Sequence, residues 1–227
     1  MAPFASLNTG GTVGDEPEAV AENRQRCFFA LERNIATMFD VWQVHSTAVV
    51  IAEEPKPGGQ PHQRADIILT DQPGVTIFMR FADCVPVFLV DPVRRVIGVA
   101  HAGWVGSVNR VSAVAVQAMT RRYGCQPDNI LAAIGPSIGV EHYPIGEVVI
   151  DRVKYSFGND SRKLLFEYED GVHLDLGKTN QLMLEAQGVQ QIEQAGICTA
   201  CHLEDWFSHR GEAGKTGRFG ALLALAG

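Results

Sequence analysis

The chain has 227 residues, of which 46% are hydrophobic and 20% charged, and its formal net charge is −7. That acidic balance argues against a nucleic-acid groove, which needs a basic surface to displace counterions. No apolar run reaches the ~18 residues that crossing a bilayer requires. The opening M-A-P-F-A-S-L-N-T-G-G has neither a basic n-region nor an apolar h-region, so a cytoplasmic location is expected. The five cysteines are an odd number and are expected to stay reduced there, without a full disulfide framework. No internal repeat, linker or low-complexity tract divides the sequence, and the length suits one large domain or two small ones. One domain over residues 1–227 is expected.

Residues 1–20 carry glycine and proline and read as loop. Residues 19–40 read as a helix, with Val20, Cys27, Phe28, Leu31, Ile35 and Met38 near helical spacing. Residues 41–52 are rich in β-branched and aromatic side chains and predict a long strand containing His45, followed by a polar loop over 55–64. Short apolar runs at 65–70, 75–81, 85–90 and 96–100 predict strands buried on both faces, with Gln72-Pro73-Gly74 and Asp91-Pro92 as turns. Residues 106–123 read as a helix stopped by Gly124. A strand is expected at 129–134, a helix at 147–157, and a hairpin from 164–168 and 172–174 around Glu169-Asp170-Gly171. Asp175 is placed to cap a helix reaching Gln187 and ended by Gly188. Strands at 190–197, 206–209 and 219–225 complete a mixed α/β pattern.

Three residues at or near the ends of apolar runs carry most of the chemistry: His45 in V-W-Q-V-H-S, Cys84 in F-A-D-C-V-P-V and His101 in V-A-H-A-G-W. A thiolate with two imidazoles suits either a metal site with an open fourth position or a Cys/His nucleophile pair. Zinc matches such ligands, with copper as its chemical competitor. The spacings, 39 residues (84−45) and 17 residues (101−84), match no compact metal motif. Asp83, a charged residue between two apolar strands, needs a structural reason. Cys198-Thr-Ala-Cys201-His202 has the c-type haem pattern, but haem attachment by that route needs export, which the N-terminus does not signal. It would also serve as half of a four-thiolate zinc site, yet no second C-x-x-C exists, so two loop cysteines is the reading adopted. Gly135-Pro-Ser-Ile-Gly139 marks a turn or a close backbone approach. Trp206-Phe-Ser-His-Arg210 and Gly214-Lys-Thr-Gly-Arg218, with basic and hydroxyl groups among glycines, suit either an anion such as phosphate or a plain solvated turn; G-E-A-G-K-T lacks the full phosphate-loop spacing. His62, His142 and His173 read as surface residues.

Taken in order, N-T-G-G-T-V-G-D-x-P-E-A-V-A-E-N-R, Q-V-H-S, F-A-D-C-V-P-V, H-A-G-W, G-P-S-I-G, L-D-L-x-x-x-N-Q-L, C-T-A-C and F-S-H-R…T-G-R resemble the bacterial laccase-domain family. That family is also called multicopper polyphenol oxidase or peptidoglycan editing factor, and its members are described as purine nucleoside phosphorylases. The resemblance covers nearly the whole chain. It implies a layered α/β/β/α sandwich with mixed sheets, and a metal, generally zinc, on His45, Cys84 and His101, which would also be the catalytic residues. It further implies phosphorolysis of adenosine, inosine, guanosine and methylthioadenosine, deamination of adenosine, and a part in cell-wall quality control. Purine nucleosides and phosphate would be the partners, with no nucleic acid and no membrane. Arg210 and Arg218 would be the substrate-binding residues on the phosphate side.

The chain departs from the family pattern in three places. Val105 stands where H-A-G-W-R-G has arginine, Gly211 follows Arg210 where a second arginine is usual, and the chain begins close to a segment that other members precede with a β-hairpin. The competing readings are a copper polyphenol oxidase and a metal-free cysteine hydrolase with Cys84 as nucleophile and His101 as base. Seven histidines with no H-x-H pair speak against the oxidase.

Overall fold

The computed structural model describes residues 3–4, 6–56 and 62–226, so part of the loop expected at 55–64 lies outside the described residues. Its helices are α1 (Pro17–Ala30), α2 (Trp104–Val108), α3 (Val111–Tyr123), α4 (Glu147–Phe157) and α5 (Leu176–Ala186). Its strands are β1 (Met38–Phe39), β2 (Val49–Ile51), β3 (Ile67–Thr70), β4 (Thr76–Phe81), β5 (Val85–Asp91), β6 (Val96–Ala102), β7 (Leu131–Ile134), β8 (Leu165–Tyr168), β9 (Gly171–Leu174), β10 (Gln191–Gln194) and β11 (Phe219–Ala224).

A six-stranded sheet has the order β10-β7-β5-β6-β3-β2, and a three-stranded sheet the order β1-β4-β11. Both are mixed. In the larger sheet β6 runs antiparallel to its neighbours β3 and β5, while β2 and β10 pair in parallel at the two edges. The sheets pack face to face through Ile68, Ile97 and Val99 from one and Ile77, Met79 and Phe81 from the other. The outer face of the larger sheet is covered by α2, α3, α4 and α5, through Val108, Val116, Met119, Val153 and Leu184. The outer face of the smaller sheet is covered by α1, where Phe28 meets Phe78 with ring centroids 6.0 Å apart. This is the expected α/β/β/α sandwich. Burial on both faces explains why β3, β4 and β6 read as near-continuous apolar runs: β6 is buried at every position.

The expected elements differ from the observed ones where a polar partner, local or distant, takes over the backbone. The helix expected to reach residue 40 ends at Ala30; Glu32 has φ 55°, and Asn34 then accepts from the Ala36 amide at 2.8 Å to start a short 3-10 turn. The strand expected over 41–52 survives only as β2, because residues 44–46 turn around a buried carboxylate. The helix expected over 106–123 is two helices, broken at Arg110. That residue has φ 64° and donates to the Ser156 carbonyl at 2.8 Å, its guanidinium over the Phe157 ring. Residues 206–209 form turns rather than a strand, since Trp206 N–H bonds back to the His202 carbonyl. By contrast α4, the β8–β9 hairpin and α5 lie where expected, with Asp175 accepting from the Lys178 amide at 2.7 Å as the cap of α5.

Candidate functional site

Three strand ends converge because β6 is antiparallel to both neighbours. Its C-terminal end carries His101, opposite Pro86 of β5, and the same registers set Cys84 across from Gly103 and Asp66 across from His101. Residues far apart in sequence therefore meet at one end of the sheet.

Asp66 organises this corner. Fully buried, it accepts from the amides of Val44 (3.2 Å), His45 (3.0 Å) and Ser46 (2.6 Å) and from the Ser46 hydroxyl (2.9 Å). It also bonds His101 Nδ1 at 2.8 Å. Burial disfavours its charge, but the His101 and Ser46 hydrogen bonds outweigh that and hold its pKa below the usual carboxylate range. The three amides wrap the chain into a turn with His45 at φ 59°, a left-handed conformation uncommon outside glycine. His45 therefore does not sit inside a strand. Its ring is turned to the cluster, 4.8 Å from the His101 ring.

His45, Cys84 and His101 each present one donor atom, and these lie within 4.8 Å of one another. Cys84 Sγ is 3.8 Å from His45 Nε2. Because Nδ1 of His101 is held by Asp66, its Nε2 is left for the cluster, an arrangement that metal-ligating histidines usually show. Burial opposes the Cys84 thiolate, yet the two imidazoles prevail and push the thiol down to about 6. Burial likewise opposes the charged form of His101, and the Cys84 thiolate and Asp66 push it up to about 9. The pair can thus exist as thiolate and imidazolium, or exchange the imidazolium proton for a cation. The donor chemistry fits a zinc-class ion: one soft thiolate, two imidazoles and a carboxylate behind one of them. Gly103 gives the donors room, since a Cβ there would lie 2.8 Å from His45 Cδ2 and 2.9 Å from Cys84 Sγ.

Asp83 is the second buried anchor, at φ 78°. Its carboxylate accepts from Thr199 Oγ1 (2.7 Å), Ser208 Oγ (2.6 Å) and the Arg210 amide (2.6 Å), and its carbonyl accepts from the Ile138 amide (3.0 Å). This explains the charge between two apolar strands. Asp83 ties the G-P-S-I-G loop, the C-T-A-C loop and the S-H-R turn to the residue preceding Cys84.

The cluster lies in a cleft of about 730 Å³, a size suited to a small molecule. Trp42, Trp104 and Tyr143 supply aromatic wall, and Arg24, Arg80, Arg210 and Arg218 supply positive charge. Arg210 packs over the Tyr143 ring, 5.2 Å from its centroid. Arg218 and Arg24 are joined through the N-T-G-G segment. Arg24 Nε donates to the Thr9 carbonyl (2.9 Å), the Thr9 amide to the Arg218 carbonyl (2.9 Å), and the Arg218 amide to Asn8 Oδ1 (2.8 Å). Gly10 lies against the Arg218 stem, where a Cβ would approach its Cγ to 2.8 Å. Burial first, then the nearby Arg80 charge, lowers the Arg24 pKa, as expected for cations gathered to meet an anion. Arg80 is partly neutralised by Asp40 at 2.8 Å.

Both expected substrate arginines, Arg210 and Arg218, therefore line the cleft that holds His45, Cys84 and His101. Sequence reasoning missed Arg24, Arg80, Asp66 and Tyr143. The adjacent N-T-G-G glycines were the available signal for Arg24. His173, read as a surface residue, is buried and bonds the Val140 carbonyl through Nδ1 at 2.6 Å.

The family model described as "Multi-copper polyphenol oxidoreductase laccase" matches residues 1–226. A Deinococcus radiodurans protein named purine nucleoside phosphorylase is 37% identical over 223 residues, covering 98% of this chain and 83% of that protein. The crystal structure of YlmD from Geobacillus stearothermophilus superposes with a TM-score of 0.94 at 33% identity, covering 100% of this chain and 87% of that one. The Bacillus licheniformis protein YfiH gives the same TM-score of 0.94 at 33% identity, with 100% and 88% covered. With the match running through every layer of the sandwich and through the strand ends that carry the cluster, the chain belongs to the multi-copper polyphenol oxidoreductase laccase family.

Proposed function

We propose that the protein is a zinc-dependent purine nucleoside phosphorylase acting on adenosine, inosine, guanosine and methylthioadenosine, with adenosine deaminase activity at the same site. The observation that carries this reading is the placement of the His45–Cys84–His101 donors and the arginine cluster in one cleft. Relatives named purine nucleoside phosphorylase support the substrate class.

In phosphorolysis a phosphate oxygen bonds to ribose C1′ while the C1′–N9 bond breaks, and its electron pair leaves with the purine. Arg24, Arg210 and Arg218 are assigned to phosphate, where guanidinium forks hold and orient the nucleophile. Trp42, Trp104 and Tyr143 are assigned to the purine and ribose faces. His45, Cys84 and His101 would hold the zinc, which would supply Lewis-acid stabilisation of developing charge and activation of water for deamination. Asp66 keeps His101 oriented with Nε2 facing the cleft. The donor set does not suit a multicopper oxidase. Among the described residues the groups of three or more possible metal donors contain only His45, His101 and His142 as histidines, and no H-x-H pair exists.

The test is release of free purine base from inosine or adenosine as a function of phosphate concentration. Base release must saturate with phosphate and yield ribose 1-phosphate. Arg218→Gln is expected to raise KM for phosphate about tenfold or more, the scale of one lost charge-assisted contact, with metal content unchanged. Phosphate-independent turnover, or an unchanged phosphate KM in Arg218→Gln, would contradict the assignment.

A further inference from the structure

A second group of metal donors lies outside the cleft: Glu141, His142, Cys198 and Cys201. We propose that these four residues form a second, structural zinc site that clamps the outer wall of the cleft. The sequence offers half of this site as C-x-x-C. Its other half is the neighbouring Glu141-His142 pair rather than a second C-x-x-C, and lies 56 residues upstream (198−142).

The distances carry the argument. Zinc–sulfur bonds of ~2.3 Å and zinc–nitrogen or zinc–oxygen bonds of ~2.0–2.1 Å at tetrahedral angles set S···N and S···O edges of roughly 3.6 Å. His142 Nδ1 lies 3.6 Å from Cys198 Sγ and 3.6 Å from Cys201 Sγ. Glu141 Oε1 lies 3.6 Å from Cys201 Sγ and 3.6 Å from His142 Nδ1. All four donor atoms fall within 4.8 Å of one another, so one ion fits between them.

Backbone hydrogen bonds hold the two cysteines in place. The Gly139 amide donates to Cys198 Sγ at 3.1 Å, and the Cys201 amide donates to the Cys198 carbonyl at 3.2 Å, closing the C-x-x-C turn. A Cβ at Gly139 would come within 2.4 Å of the Glu141 carboxylate, so a side chain there would displace that donor. The two loops are already registered: the Ser137 amide bonds the Ile197 carbonyl (3.2 Å) and the Thr199 amide bonds the Ser137 carbonyl (3.0 Å). His173, buried behind Val140, pins the turn that carries the Glu-His pair.

Both halves lead into the cleft. Thr199, next to Cys198, bonds Asp83, which precedes Cys84. Tyr143, next to His142, is cleft wall beneath Arg210. An ion here would fix those two walls relative to each other. Binding releases the thiol protons to solvent, and mixed thiolate–imidazole–carboxylate ligation selects zinc over hard cations.

The test uses full-length protein prepared under reducing conditions and reconstituted with cobalt(II) as a spectroscopic stand-in for zinc. In a Cys84→Ala background the cleft cluster has no thiolate, and among the described residues Cys27 and Cys125 belong to no group of three or more metal donors, so thiolate-to-cobalt charge-transfer absorption is assigned to Cys198 and Cys201. That absorption is expected in Cys84→Ala and is expected to be lost on adding Cys201→Ser, and its metal affinity is expected to fall at least tenfold with His142→Ala. In the otherwise unaltered protein, Cys201→Ser is expected to remove one zinc per chain while Cys84→Ala removes the other. That count also serves if the double variant does not fold. Failure of the cleft reading alone would leave one metal that depends on Cys201 but not on Cys84. The proposal is overturned if Cys84→Ala shows no thiolate–cobalt band, if Cys201→Ser leaves the metal count unchanged, or if Cys198 and Cys201 are isolated as a disulfide.

Discussion

Replacing Cys84 by alanine is expected to abolish both phosphorolysis and metal retention in the cleft while leaving the fold in place. The side chain is half-buried and contributes one sulfur atom, so its loss should destabilise by about 1 kcal/mol or less. The chemical consequence is far larger. Losing the thiolate leaves two imidazoles, one exposed on a turn, and forfeits the several kcal/mol that a Lewis acid contributes, roughly a thousandfold or more in kcat/KM. Cys84→Ser should fare little better, because a neutral hydroxyl does not replace a soft thiolate. Chelation, rather than this variant, separates the metal-dependent reading from a cysteine hydrolase, for which the thiolate–imidazolium pair of Cys84 and His101 is the supporting observation. Both lose activity with Cys84. Only the zinc enzyme also loses activity to a chelator and regains it with zinc. An enzyme that survives chelation but not alkylation would be the hydrolase.

Asp66→Asn is expected to be the most damaging conservative change in the molecule. The carboxylate receives donors from Val44, His45, Ser46 and His101 without access to water. An asparagine has one acceptor oxygen, and its amide would face N–H groups with another donor. Leaving two or more of these buried donors unpaired costs about 3–5 kcal/mol, and for a chain of this size that lowers Tm by roughly 10 °C. The left-handed His45 turn would lose its support, and His101 would be free to rotate its Nε2 away. Thermal unfolding together with metal content checks both effects. An Asp66→Asn protein with unchanged Tm and unchanged metal retention would show that the turn holds without the carboxylate.

These two residues also mark what the sequence does and does not convey. The strands around the site were legible because burial on both faces leaves a plain composition signal, as at Ile67–Thr70 and Val96–Ala102. The Asp175 cap and the β8–β9 hairpin were legible because their determinants are local. The turn at His45 was not: the residues around it are β-branched and aromatic, and the carboxylate that bends them lies 21 residues away (66−45). The same holds for Arg24, whose place is set by Thr9, 15 residues away (24−9), and by the Arg218 carbonyl that holds Thr9. Asp83 stood out as an anomaly, but its partners Thr199 and Ser208 lie at the other end of the chain. His45, Cys84 and His101 were singled out by residue type and by the ordered motifs around them. Their meeting point follows from the antiparallel registers of β6, which no spacing rule encodes.

The central claim is that His45, Cys84 and His101 together hold the metal that serves the reaction. Anomalous diffraction at the zinc edge, on crystals of protein purified without added metal and shown to be active, tests it most directly. The account predicts a peak ~2.0–2.1 Å from one nitrogen of each histidine and ~2.3 Å from Cys84 Sγ, absent from Cys84→Ala crystals. An active protein with no peak between these three side chains would contradict it.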